Sequence, residues 1–204
     1  ASKDGYQDPP TQWLNATASV VGGAPGGYGR FAKNPAHMIL ERHTQQHSGR
    51  RPRSSVNLDH LTVAADWFFS RGFGLCTTRN SKDESPRAYI KRIEKVAGCS
   101  FTKSLDDGLW YLDVANGIYD LETLEVINDD HVLKFKETGT VPDNAVNSVS
   151  VKYFDPERKE TIISPPVRAM GLIAQFGEIH QTLDYPEVPI GRIALEIATR
   201  ELLA

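Results

Sequence analysis

Apolar positions recur at two different spacings along this chain. From residue 34 to 98 they return every three or four positions, the period of a helix with one buried face; from 99 to 163 they mostly alternate, the period of a strand. The stretch KNPAHMILERH opens the first helix. Asn34 is placed to N-cap it, and Pro35 suits the first turn, where its missing N–H would be unpaired anyway. Ala36, Ile39, Leu40 and His43 then share a face, with fraying expected near Ser48 and Gly49. In NLDHLTVAADWFFSRG, Asn57 is a second N-cap, Leu58, Leu61, Ala65 and Phe68 or Phe69 form the stripe, and Gly72 is the stop. In SPRAYIKRIEKVAGC, Ser85 caps and Pro86 takes the first turn. Tyr89, Ile90, Ile93, Val96 and Ala97 face inward, Lys91, Arg92, Glu94 and Lys95 face water, and Gly98 ends the helix. Burying such faces contributes roughly 1.5–3 kcal/mol for each large side chain.

The strand-like stretches are shorter. FGLCTTR, residues 73–79, reads as a short strand. CSFTKSL and LWYLDVA around DDG read as a hairpin, with Trp110, Leu112 and Val114 on one face. ANG at 115–117 is a further tight-turn signal, and HVLKFKE, 131–137, is another strand. VNSVSVKYFDPERKETIIS is the cleanest hairpin: Asn147, Val149, Val151 and Tyr153 point one way, Ser148, Ser150, Lys152 and Phe154 the other, and Pro156 favours a turn starting at Asp155. A short helix in PVRAMGLIAQFG ends at Gly177, a strand EIHQTLDY runs toward Pro186, and a last helix over 189–203 carries Ile190, Ile193, Ala194, Ile197 and Ala198 inward. Helices plus local hairpins define an α+β fold with mainly antiparallel sheets. Three parts are expected: an extended arm or linker over 1–33, a helical and β-meander domain over 34–127, and a β-hairpin and helix domain over 128–204.

Charge and composition narrow the function classes. A net charge of -3 over 204 residues argues against a nucleic-acid protein defined by bulk charge. No apolar run approaches the roughly 18 residues of a membrane span, and the polar start ASKDGYQDPP is no secretory signal. The chain lacks an initiator Met, as a piece excised from something longer would. Cys76 and Cys99 are too few for a disulfide framework or a zinc site and read as buried, reduced thiols.

Candidate chemistry then thins out. In VGGAPGGYGR, Gly22 and Gly27 have P-loop spacing, but Tyr28 follows where Lys-Ser is needed; Gly27 and Gly29 start a dinucleotide fingerprint whose third glycine is missing. The run reads as a mobile arm that orders against a neighbour. His43 and His47, four apart, could hold a metal, yet Thr44 stands where a zinc hydrolase carries its glutamate, and His37 and His60 could join only through the fold. Surface histidines are expected. The arginines at 50, 51 and 53 read as a solvated loop or a protein–protein salt contact. Asp106, Asp107, Asp129, Asp130 and Asp155 sit at turns, where Asp bonds nearby backbone. The letters of a Ser/His/Asp triad are present, as in any chain of this size, without the GxSxG elbow. Asn15 heads a sequon relevant only to a secreted protein. No catalytic, cofactor-binding or metal residue is assigned.

The order of segments resembles the central region of phage tail tip, or baseplate hub, proteins of the tip attachment protein J family. Asn34-Pro35-Ala36, residues 58–65 and Trp110 to Leu112 match the family's first segments. Val149, Val151, Tyr153, Asp155 and Pro156 match a strand of the form VxVxYxDP. Ile173, Ala174, Phe176, Gly177 and Val188 match a segment of the form IAxYG followed by GV. The likeness covers about residues 30–204. It departs at Trp67-Phe68, where the family has Tyr-Cys, at HTQQHSGRRPR, where it has an NPRYG loop, and at Glu187, in place of a glycine. The resemblance implies a tail-hub-like fold and a structural, non-enzymatic component of a phage or prophage tail tip, made in the host cytoplasm and carried in the virion tail. It implies a homotrimer in full-length form that joins the tail tube to the central fibre, with distal tail and tail tube proteins as partners. It implies no cofactor, nucleic-acid specificity or membrane span, and a middle portion without the receptor-binding C-terminus. The alternatives are a tail-associated cell-wall hydrolase, for which His43 and His47 are the motive, and a receptor- or glycan-binding module built on Trp13, Trp67 and Trp110.

Overall fold

The computed structural model describes residues 32–45, 50–77, 84–115, 117 and 146–203. The glycine run, the strand expected at 131–137, His47, Trp13 and Asn15 lie outside these residues. Five helices are described: α1 (Pro35–Thr44), α2 (Leu58–Ser70), α3 (Pro86–Ala97), α4 (Met170–Phe176) and α5 (Gly191–Leu203). Six strands accompany them: β1 (Cys99–Lys103), β2 (Trp110–Val114), β3 (Ser148–Asp155), β4 (Glu160–Ile163), β5 (Val167–Arg168) and β6 (His180–Asp184). The fold is α+β.

Capping chemistry starts each of the first three helices where the sequence places it. Asn34 Oδ1 accepts the Ala36 N–H at 3.0 Å, Asn57 Oδ1 accepts that of His60 at 3.0 Å, and Ser85 Oγ accepts that of Ala88 at 3.1 Å. Asn34 does more than cap: its Nδ2 donates to the Ala65 carbonyl at 2.9 Å, tying the start of α1 to α2. α1 stops at Thr44, before the expected fraying point, because the Gln45 backbone turns extended. α3 ends in a left-handed residue, Gly98, with φ 66°.

β1 and β2 form the expected hairpin, with Phe101 opposite Leu112. The second sheet is built on β3. β4 and β5 both run antiparallel to it along one edge, and β6 runs parallel along the other, Val151 opposite Leu183. The sheets are therefore mainly antiparallel, with one parallel pair. That pair follows from the connection: β5 ends beside Ser148, α4 spans the end of β3, and β6 begins beside Ser148 on the far side. Buried Asn147 holds the crossing. Its backbone carbonyl accepts from Ala169 N–H, its Oδ1 accepts from Ile179 N–H at 2.8 Å, and its Nδ2 donates to the Gly177 carbonyl at 2.7 Å.

Two expectations are corrected here. FGLCTTR is not a strand within its described residues: Leu75 exchanges both backbone bonds with Lys33, and the next N–H, of Cys76, goes to the Glu187 carbonyl instead. Lys33 and Leu75 form only an isolated bridge, short of a ladder. Glu94 does not face water. It is buried, accepts the Phe101 N–H and pairs with Lys91 Nζ at 2.8 Å, so it joins α3 to β1.

Side chains of both the helical region and the β3 sheet region enter one buried cluster, including Phe68, Leu61, Ile93, Leu112, Val151 and Ile197. Polar bonds cross between the regions as well. Arg71 pairs with Glu196 at 3.0 Å, and Arg192 Nη2 donates to the Gly72 carbonyl at 2.8 Å. Arg200 donates to the Val96 and Lys95 carbonyls, each at 3.1 Å, and thereby satisfies the last turn of α3. Gly98 leaves room for that arginine: a Cβ there would lie 2.4 Å from Arg200 Nη1.

Candidate functional site

Polar clusters come first, because catalysis would need one. Ser148 Oγ lies 2.9 Å from His180 Nδ1, the distance of a nucleophile and its base. Both ring nitrogens face hydroxyls, however, since His180 Nε2 lies 3.2 Å from Thr182 Oγ1, and the nearby carboxylate, Glu178, bonds Ser148 and Arg168 rather than the ring. Ser148 is also fully buried in β3, so its oxygen meets no substrate. The pair is a cross-strand contact between β3 and β6.

The histidines singled out by spacing part company. His43 is not at the surface: it is buried with Nε2 3.2 Å from Ser55 Oγ, its ring edge-on to Phe101 at 5.1 Å and tilted against Trp110 at 5.0 Å. The apolar stripe Ala36, Ile39, Leu40, His43 decided its side. Ser55 Oγ gives its own proton to the Pro52 carbonyl, so His43 is the donor in the shared bond and carries its neutral proton on Nε2. Burial, with Arg51 adding to it, lowers the His43 pKa to about 4. His37 is buried as well, and burial, then Lys33 and Arg53, opposed by Glu41, lowers its pKa to about 4. His60 goes elsewhere, 3.5 Å from Asp113 and edge-on to Tyr111. Among the described residues no group of three or more His, Cys, Asp or Glu side chains could hold a metal ion.

The remaining candidates are structural in their contacts. The RRPR segment bonds back onto α1: Arg50 N–H donates to the Gln45 carbonyl and Arg51 N–H to that of His43. Asp155 Oδ1 accepts from the N–H groups of Glu157 and Arg158, and Asp107 accepts from Leu109 N–H and from Tyr111 Oη, which holds its carboxyl below the usual range. Cys76 and Cys99 are both free thiols; burial raises the pKa of each, that of Cys99 to about 12, so neither is an activated nucleophile. Trp67 lies against Phe68 and under Arg71, and Trp110 stacks on Phe101 at 5.0 Å.

One polar node was not foreseen. Arg92, expected in water, donates to both oxygens of Glu84 at 2.9 Å, to Thr77 Oγ1 at 2.8 Å and to the buried Glu187 carboxylate. Those hydrogen bonds, from Glu84 first, raise the Arg92 pKa further. Glu187 stands where the resembled family has glycine, and it links α3 to the segment entering α5.

Among the described residues, α4 groups several exposed apolar side chains on one short helix. Its sequence, MGLIAQF, carries four large apolar side chains, and none of its seven residues is buried. Met170 is 68% exposed, Leu172 42% and Phe176 40%. Leu172 and Phe176, four apart, share one face, and Met170 and Ile173, three apart, share the adjoining one. No side chain caps its start at Ala169. The helix is held at its ends by the Asn147 bonds rather than by a buried face. Ile163 on β4, 59% exposed, and Phe154 on β3 add apolar surface on the same sheet. Exposed apolar groupings of this kind mark interaction surfaces on folded proteins.

No helix among the described residues is long and apolar enough to cross a membrane. The chain matches no protein-family model and no curated protein.

Proposed function

We propose that this chain is a structural assembly module of a phage or prophage tail tip, a central part of a hub that joins the tail tube to the central fibre. The observation that carries the reading is the placement of the segment resembling the family's IAxYG motif. Ile173, Ala174, Phe176 and Gly177 fall on α4 and its stop, the helix that buries none of its residues. A motif retained for core packing would turn inward; one that turns Phe176 and its neighbours Met170 and Leu172 outward fits a docking role. The other matched residues support the reading through the scaffold. Val149, Val151 and Tyr153 build the buried side of β3, Asp155 and Pro156 shape its turn, and Asn34-Pro35-Ala36 starts α1. The partners are further copies of the full-length chain, in a homotrimer, and the adjoining distal tail and tail tube proteins.

Immunogold labelling of purified tails with an antibody against this chain tests the proposal. Label confined to the distal tip is the expected result. Particles that carry no label, although the chain is made, would overturn it. Release of labelled peptidoglycan fragments by the purified chain would favour the hydrolase instead.

A further inference from the structure

The two buried histidines are not explained by an assembly role, and both sit on α1. This helix is enclosed on most of its circumference: Pro35, Ala36, His37, Met38, Ile39, Leu40 and His43 are all buried. The charged groups facing the imidazoles are unfavourable to a further positive charge. His37 meets Lys33 from the preceding segment, Arg53 from the 3₁₀ turn Arg53–Ser55, and Glu41 from its own helix, whose carboxylate is already bonded to Lys33 Nζ at 2.6 Å. His37 also lies in the first turn of α1, where the helix dipole disfavours a cation. His43 meets Arg51, while Phe101 from β1 and Trp110 from β2 contribute no charge. The carbonyl end of α1 and the two aromatic rings offset part of this at His43, so His37 is the stronger half of the pair.

We propose that α1 is an acid-labile clamp: protonation of His37 and His43 releases it from α2, α3 and the β1–β2 hairpin, while β3 and α5 stay folded. Above the ordinary histidine range both rings are neutral and the clamp is closed. As pH falls from about 6.5 toward 4, the released state takes up protons that the closed state refuses, and opening becomes easier by roughly tenfold per pH unit for each imidazole freed. The sheet region lacks this sensitivity. Among its described residues it holds no buried histidine: His180 is exposed.

Hydrogen–deuterium exchange of the intact chain at pH 7, 6, 5 and 4.5, corrected for intrinsic rates, reads the opening directly. The expected result is a loss of protection in α1 and the β1–β2 hairpin of about tenfold or more per pH unit below 6.5, with β3 and α5 unchanged. The double substitution His37→Gln/His43→Gln should flatten that dependence. Protection in α1 that holds to pH 4.5, or that falls equally in β3, would overturn the proposal. If the double variant does not fold, imidazole NMR titration of the unmodified chain decides: both midpoints well below 6.5 uphold the clamp, and midpoints at or above 6.5 sink it.

Discussion

The helical region from Ala32 to Ala115 and the sheet region from Val146 to Leu203 use their apolar residues differently. In the first, each helix turns a face inward, and even charged positions such as Glu94 and Arg92 are drawn into bonds between elements. In the second, β3 and α5 hold the core, while α4 is fixed by backbone bonds to Asn147 and leaves Met170, Leu172 and Phe176 outside. Two helices of one chain thus owe their position to different physics. α2 is held by what it buries; α4 is held by where its ends are tied.

The sharpest way to break this comparison is to truncate one aromatic in each region. Phe68→Ala removes a fully buried ring and is expected to cost about 3–5 kcal/mol in urea unfolding. Phe176→Ala should stay within about 0.5 kcal/mol, as surface changes do. Equal losses at the two sites would erase the distinction. Next in size is the node between the regions. Glu187→Ala leaves Arg92 without its buried partner and is expected to lower stability by roughly 2 kcal/mol, the buried-pair range reduced for the partial exposure of the arginine. Retention of the native thermal midpoint in this variant would mean the regions do not depend on the node.

Gly98→Ala is expected to cost about 2 kcal/mol, since the left-handed backbone disfavours a side chain and the added Cβ would displace Arg200 from the end of α3. An unchanged midpoint would show that Arg200 yields freely. Asn34→Ala is smaller, about 1 kcal/mol for the lost cap, and should be recovered in part by Asn34→Ser, which keeps a cap but not the donation to Ala65. A full recovery would leave the tie to α2 without weight.

Much of the fold was legible because local chemistry decides it. Asn34, Asn57 and Ser85 cap the helices they precede, and the alternation around Trp110 and Val151 places both hairpins. What escaped the sequence depends on distant partners. The two-residue β5 and the parallel seat of β6 follow from how Asn147 bonds both ends of the α4 crossing, which no window around either strand contains. Glu94 and His43 carry polar letters at positions whose burial is set by β1 and β2, across the fold. For the site, the short helix before Gly177 was readable from sequence, but its exposure was not: four large apolar residues in seven look like core, yet none of the helix is buried.

The central claim is that α4 serves assembly rather than stability. The most direct measurement places Leu172→Asp and Phe176→Asp together in the full-length protein and counts intact tails by electron microscopy, alongside thermal unfolding of the variant chain. The account predicts an unfolding midpoint close to that of the unmodified chain and a loss of completed tails. Normal tail assembly by a stably folded variant would contradict it.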